Sequence, residues 1–318
     1  MKKASLVLII IASILTIAGG VFLFLGIKDN SFGGREDPTL EEKEYILSES
    51  FTDIDIDSTS GDIIFYVSEG EENKVICNES EKQYYTVSVS QGKLSITFDD
   101  DRTLTERLKF NSGNLYIHLY LSNTFYNNLD LKLTTGDLDV PSGFSFKVVN
   151  IQTTTSDVSF KGECTEKMTI KGTTGEIVLD SINTKELSLH STTGDVTLSN
   201  INVEKDIVVD LTSGKTTYTN VRCVNLTHTS TSGETTMTNV VLTGELYMHQ
   251  TSGDIKLNGV DAKEITIELT TGDVSGTILT PKKFIVHVTT GEQDVPPTDG
   301  NLCTITVTTG DVSIRINN

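Results

Sequence analysis

Apolar and polar residues alternate along most of this chain, and a glycine interrupts the alternation at a fixed interval. From Leu129 onward the chain runs apolar–x–apolar, then Thr-Thr/Ser-Gly-Asp/Glu, then apolar–x–apolar again. The glycine position falls at Gly136, Ser156, Gly175, Gly194, Gly214, Gly233, Gly253, Gly272, Gly291 and Gly310, in steps of 19 or 20 residues. Seven places earlier stand Leu129, Val149, Met168, Leu187, Ile207, Leu226, Leu246, Ile265, Phe284 and Cys303. Five places earlier stand Leu131, Ile151, Ile170, Leu189, Val209, His228, Met248, Ile267, Val286 and Ile305. Apolar residues at every second place give a strand one apolar face.

Each repeat therefore predicts two short strands meeting at a glycine corner. A unit copied at so constant a period buries its apolar face only by stacking on its neighbours. The predicted fold is all-β: a β-solenoid (single-stranded β-helix) of about ten 19–20-residue coils, preceded by an N-terminal transmembrane helix. Ten coils about 4.8 Å apart make a rod about 45–50 Å long. A sandwich would space its strands irregularly, and a propeller repeats near 40 residues. The pattern leaves the handedness open.

The corner itself carries expectations. A tight turn commonly needs φ > 0, which glycine adopts freely, so Ser156 is expected to carry about 1–2 kcal/mol of strain. The next residue is acidic in nine repeats (Asp137, Asp157, Glu176, Asp195, Glu234, Asp254, Asp273, Glu292, Asp311), with Lys215 the exception. Such carboxylates accept N–H groups in turns. Two places before the glycine every repeat has threonine, from Thr134 to Thr308. These hydroxyls are expected to bond to their copies along the ladder.

Upstream, Ile54, Ile56, Ser60-Gly61-Asp62, Ile63 and Phe65 form a separated eleventh member. Between it and the array lie strand-like runs at Lys74–Cys77, Tyr85–Val89, Leu94–Phe98 and Leu115–Leu121, with Gln91-Gly92 as a hairpin turn. Residues 45–128 are read as a β region capping the 129–318 solenoid, since an uncovered end exposes strand edges. At the other end, Ile314-Arg315-Ile316-Asn317-Asn318 is expected to form an edge guarded only by Arg315 and the asparagines.

Residues 1–3 form a short basic tail, and the uncharged run Ala4–Ile27 follows. As a helix it would be about 36 Å long, enough for a bilayer. Apolar residues continue past Ala18-Gly19-Gly20, which favours an uncleaved anchor over a signal peptide. Residues 28–44 then read as a spacer. Lys2 and Lys3 before the run are nearly balanced by Lys28 and Arg35 after it, so charge asymmetry is weak. The three-residue tail leaves the large domain as the exported part. The expected location is the cell membrane, single-pass, with the C-terminal domain extracytoplasmic.

A net charge of −19 over 318 residues argues against nucleic acid or anionic lipid as a partner. Cys77, Cys164, Cys223 and Cys303 show no paired spacing, and Cys164 and Cys223, three coils apart, lie about 14 Å from each other. Buried free thiols are expected. Phosphate loops, paired-histidine zinc motifs, nucleophile elbows and CxxC pairs are absent from the sequence. His190, His249 and His287 share an outward column but lie too far apart for one metal, while His228 falls in an inward column. No catalytic, cofactor-binding or metal-ligating residue is assigned. Stacked carboxylates repel, so Ca²⁺ on the acidic ladder is the one cofactor reading the pattern raises, beside plain turn capping. Flat threonine arrays also suit ordered water, but only Thr227/Thr229/Thr231 and Thr304/Thr306/Thr308 complete one.

The run Leu115-Tyr116-Ile117-His118-Leu119, then Leu129-x-Leu-x-Leu-Thr-Thr-Gly-Asp-Leu and its repeats, resembles a bacterial family. It is similar to the putative-adhesin family of β-strand-repeat proteins of unknown function, over roughly Tyr45 to Asn318. The resemblance implies a membrane-anchored, envelope-associated surface protein and transfers no catalytic residue. The expected function is a non-catalytic binding or scaffold surface, adhesin-like or envelope-stress-associated, with an envelope protein or glycan as ligand. The alternative is a polysaccharide-acting β-helix enzyme with its site in the 70–128 insert.

Overall fold

The computed structural model describes residues 39–68, 70, 72–107 and 113–317. The apolar run Ala4–Ile27 and most of the 28–44 spacer lie outside them. Among the described residues no helix is long and apolar enough to cross a membrane; the single helix there is Leu104–Arg107. A strand, Glu41–Leu47, begins inside the stretch read as spacer.

The fold is an all-β β-solenoid of about nine regular turns, with a further coil at either extremity. Each turn contributes one strand to a leading wall of 13 strands and, past the glycine corner, one to a trailing wall of 15. Successive turns pair parallel and in register. Ile207 lies beside Leu226 and Val209 beside His228 in the leading wall; Thr216 lies beside Thr235 and Tyr218 beside Met237 in the trailing wall. Period-two alternation thus sends each inward column onto itself. Leu187, Ile207, Leu226, Leu246 and Ile265 are essentially unexposed, each burial contributing about 2 kcal/mol. Toward the amino end the core turns aromatic, with Phe65 5.7 Å from Phe144 and Phe146 6.0 Å from Phe160.

Spatial order departs from chain order at both ends. The separated Gly61 coil sits directly on the Gly136 coil: strand Asp53–Ser58 lies between Phe125–Thr135 and Lys93–Asp100, and Asp62–Val67 between Tyr116–Leu121 and Leu138–Val140. Beyond it the sheets turn antiparallel. Gln83–Ser90 folds back on Lys93–Asp100 through Gln91 and Gly92, with φ of 53° and 76°. Glu41–Leu47 pairs antiparallel with Asn73–Glu79.

At the carboxyl end the last coil is wedged inward. Strand Asn301–Thr309 lies between Glu264–Thr271 and Lys282–Thr290, and Val312–Ile316 between Val274–Ile278 and Gln293–Asp294. The expectation that Ile314–Asn318 forms the free edge is therefore corrected. The Gly291 coil stands outside it, because Pro296-Pro297-Thr298-Asp299-Gly300 carries the chain back one coil.

The corner glycines behave as predicted. Gly214, at φ 142°, has its missing Cβ directed at the Gly194 carbonyl. Ser156 does not: it is absent from the residues with positive φ, so the expected strain is not there. Its side chain is instead buried without a hydrogen-bond partner.

Candidate binding surfaces

The acidic column joins coils rather than closing its own turns. Each aspartate Oδ1 accepts the backbone N–H of its counterpart in the adjacent coil. Asp157 donates to Asp137 at 3.1 Å, Lys215 to Asp195 at 2.8 Å and Asp273 to Asp254 at 3.1 Å. The series continues through Asp311 on Asp273 and Glu292 on Asp311, both at 2.8 Å. Lys215 fits because its backbone serves the ladder while its ammonium lies 3.8 Å from Glu234. No group of three or more His, Cys, Asp or Glu is placed to hold a metal among the described residues.

The ten threonines two places before the glycine are all exposed. Among the described residues their hydroxyls show no bond to one another, contrary to the expected ladder. They flank a second outward column, which reads Asp57, Lys132, Gln152, Lys171, His190, Asp210, Thr229, His249, Glu268, Thr306 and His287 in spatial order. His190 Nδ1 lies 2.8 Å from Asp210, and His249 Nδ1 lies 3.0 Å from Glu268. The wedged coil puts His249 and His287 three coils apart, not two. A shallow hollow of about 380 Å³ opens between the two columns, lined by Asp57, Lys132, Gln152, Thr154, Lys171 and Thr173.

The insert supplies a different surface. Outward residues of Asp62–Val67 and Tyr116–Leu121 place Tyr66 on Tyr120, with centroids 4.8 Å apart and planes 12° off parallel. Tyr116 stacks on His118 at 4.2 Å, and the Lys74 ammonium lies 5.6 Å from the Tyr120 ring centre. These rings are half-buried. The Glu42 carboxylate bonded to the Tyr116 hydroxyl pushes that phenol up to about 12, and burial lowers the His118 imidazole. Several of the insert's acids and bases pair with each other: Arg102 with Asp100 at 2.9 Å, Lys82 with Glu106, and Arg107 3.5 Å from Asp100.

All four cysteines are buried free thiols, and burial pushes Cys223 and Cys303 up to about 12. His228 is an interior residue, bonded to Tyr218 and Thr235. Two features escaped sequence reasoning. Asn200, Asn220 and Asn239 turn the second corner with φ of 54–56°; their spacing of 20 and 19 residues was the available signal. Lys282 is only 2% exposed and lies 2.7 Å from Asp261. Its alternation with Phe284 and Val286 was the only hint.

The Toastrack DUF4097 family model matches residues 51–214 and 204–318. The fold is similar to a solved structure described as a putative adhesin from Parabacteroides distasonis ATCC 8503. The TM-score is 0.53 at 13% identity, covering 87% of this chain and 98% of that one. Two further structures overlap less closely. One is a putative adhesin from Parabacteroides merdae ATCC 43184, with TM-score 0.46, 13% identity and coverage of 89% and 98%. The other is a putative lipid binding protein from Parabacteroides distasonis ATCC 8503, with TM-score 0.48, 14% identity and coverage of 89% and 98%. No curated protein matches the chain.

Proposed function

This chain belongs to the Toastrack DUF4097 family, and from that premise we propose that it is a membrane-anchored, extracytoplasmic solenoid serving as a non-catalytic binding or scaffold surface. The observation that carries this reading is the half-buried row Tyr66, Tyr116, His118 and Tyr120 on the trailing wall. Elsewhere the outer faces are mostly threonine, serine and charge. Tyrosine offers a large contact area at low entropic cost together with a hydroxyl, and is enriched where proteins bind partners. The ring edges suit an envelope protein or a glycan.

Envelope extract passed over the immobilised full chain is expected to leave a retained partner, and the Tyr66→Ala/Tyr120→Ala variant is expected to lose it. Equal retention by both would remove the tyrosine row from the reading. Residues 4–27 serve as the anchor and the solenoid lies outside the cytoplasm. Protease added to intact spheroplasts should digest the domain; protection until lysis would reverse the orientation. The acidic ladder works as coil-to-coil capping, so melting in Ca²⁺ and in chelator should give one midpoint.

A further inference from the structure

We propose that two copies of this chain join tail to tail, the strand Lys282–Thr290 pairing antiparallel with its own image across a twofold axis. Among the described residues that strand is the last of the leading wall and has a neighbour, Asn301–Thr309, on one side only. It is nine residues long and contains no proline. Its outer side therefore carries a row of unpaired backbone donors and acceptors, which template further pairing.

The apolar interior is open at the same place. Within the stack, Ile207, Val209, Leu226 and Met248 are unexposed, because each coil is covered from both sides. Their counterparts Phe284, Val286 and Val288 are only partly buried, as are Val295 and Ile316 of the facing wall. Ile285, on the outer face, is 39% exposed.

The opposite end is built differently. There Gln83–Ser90 lies antiparallel on Lys93–Asp100 and buries Tyr85, while Val87 and Val89 along this last strand of the wall are only partly buried. The trailing wall ends there in Glu41–Leu47, whose Glu41, Glu42, Lys43 and Glu44 are exposed charges. Charge is a common guard against edge pairing, and it makes that end a poor match for the apolar tail of another copy. Head-to-tail stacking would bring those acids toward Asp294, in the strand that ends the trailing wall at the tail, so tail meets tail.

The sequence of the strand suits a twofold centred on Val286. Antiparallel residues directly opposite share a face, so Phe284 meets Val288, Val286 meets itself and Ile285 meets His287. Lys283 meets Thr289, so no like charges oppose. The apolar interior then runs across the junction, and each copy supplies the antiparallel strand that the other lacks. A nine-residue strand is about 30 Å long and the walls are about 10 Å apart. That contact falls below the roughly 800 Å² per partner of a standard stable interface. The dimer is therefore reversible and concentration-dependent.

Sedimentation of the full chain in a mild non-ionic detergent across a concentration series should show a monomer–dimer equilibrium. Val286→Lys should weaken it about tenfold or more, a loss of about 1.4 kcal/mol, with unchanged circular dichroism at about 25 °C. Val286→Cys should yield a disulfide-linked dimer on mild oxidation, whereas Tyr247→Cys, on the middle of the same wall, should yield none. A chain that stays monomeric throughout overturns the proposal. So does a dimer indifferent to Val286→Lys that Val286→Cys fails to cross-link. Slow amide exchange along Lys282–Thr290 in the monomer would do so too, because another segment of this chain would then occupy the edge.

Discussion

His228 shows how one polar residue survives in a greasy column. Gln250 donates from Nε2 to the carbonyls of Gly233 at 2.8 Å and Gly253 at 2.7 Å, which leaves its Oε1 as an acceptor. Thr235 fills it with its only hydroxyl proton at 2.9 Å, so Thr235 accepts from His228 Nε2 at 3.0 Å. Nδ1 is left to accept from the Tyr218 hydroxyl at 2.9 Å. This chain of bonds fixes the neutral Nε2–H tautomer and satisfies each of these side-chain donors. Burial lowers the imidazole to about 4. The unfolded chain takes up a proton near pH 6.5 that the folded chain refuses. Stability is therefore full above pH 6.5 and falls as pH drops from there through 4, losing about 3 kcal/mol. Urea unfolding across that window should show the slope. An imidazole NMR signal for His228 that titrates near 6.5 in the folded protein would refute it.

At the scale of the element, two devices set the second corner. Asn200 donates to Asp180 at 2.8 Å, Asn220 to Asn200 at 2.9 Å and Asn239 to Asn220 at 2.7 Å. Asparagine suits the place twice over, tolerating φ near 55° and pairing amide to amide up the stack. Asn220→Ala should cost about 2 kcal/mol, through left-handed strain and lost bonds. Asn220→Gly, which keeps the turn free of strain, should cost about 1 kcal/mol; equal midpoints in denaturant would show that the bonds alone matter. The second device is Lys282, whose ammonium also donates to Ala262 O at 2.6 Å and Thr280 Oγ1 at 2.8 Å. It ties the outermost coil back to the Asp261 turn. Asp261→Ala strands that charge and should cost about 3 kcal/mol, while the paired replacement Asp261→Ala/Lys282→Met should recover most of that loss in thermal melts.

For the whole molecule, stability is the sum of contacts between neighbouring coils, set against a net charge of −19. Raising salt from about 0.1 M to about 1 M shortens the screening length from about 10 Å to about 3 Å. The repulsion then fades and the melting midpoint should rise; a calorimetric midpoint that falls with NaCl would mean that the surface ion pairs outweigh it. The two extremities differ in kind, one ending in antiparallel strands and an acidic trailing edge, the other in parallel strands. In the proposed dimer two of the latter ends meet, which gives a closed pair of molecules rather than an endless rod.

The sequence by itself determined the solenoid, its glycine corners, its inward columns, the buried thiols and the interior place of His228. All of these follow from local periodicity, and a stack of identical units repeats its local rule. It also located the strands of the insert and the Gln91-Gly92 turn, because hairpin chemistry is local. Only the tertiary structure decided that the Gly61 coil joins the array and that the last coil slips inside the Gly291 coil. Such pairings connect segments far apart in the chain, and no residue pattern records which free edge a strand will find. The relaxed corner at Ser156 and the carboxylate bonds between coils belong there too, since both depend on the backbone of the neighbouring turn. The tyrosine row was written in the alternation of Tyr116, His118 and Tyr120. It became a surface only when Tyr66 was laid beside it.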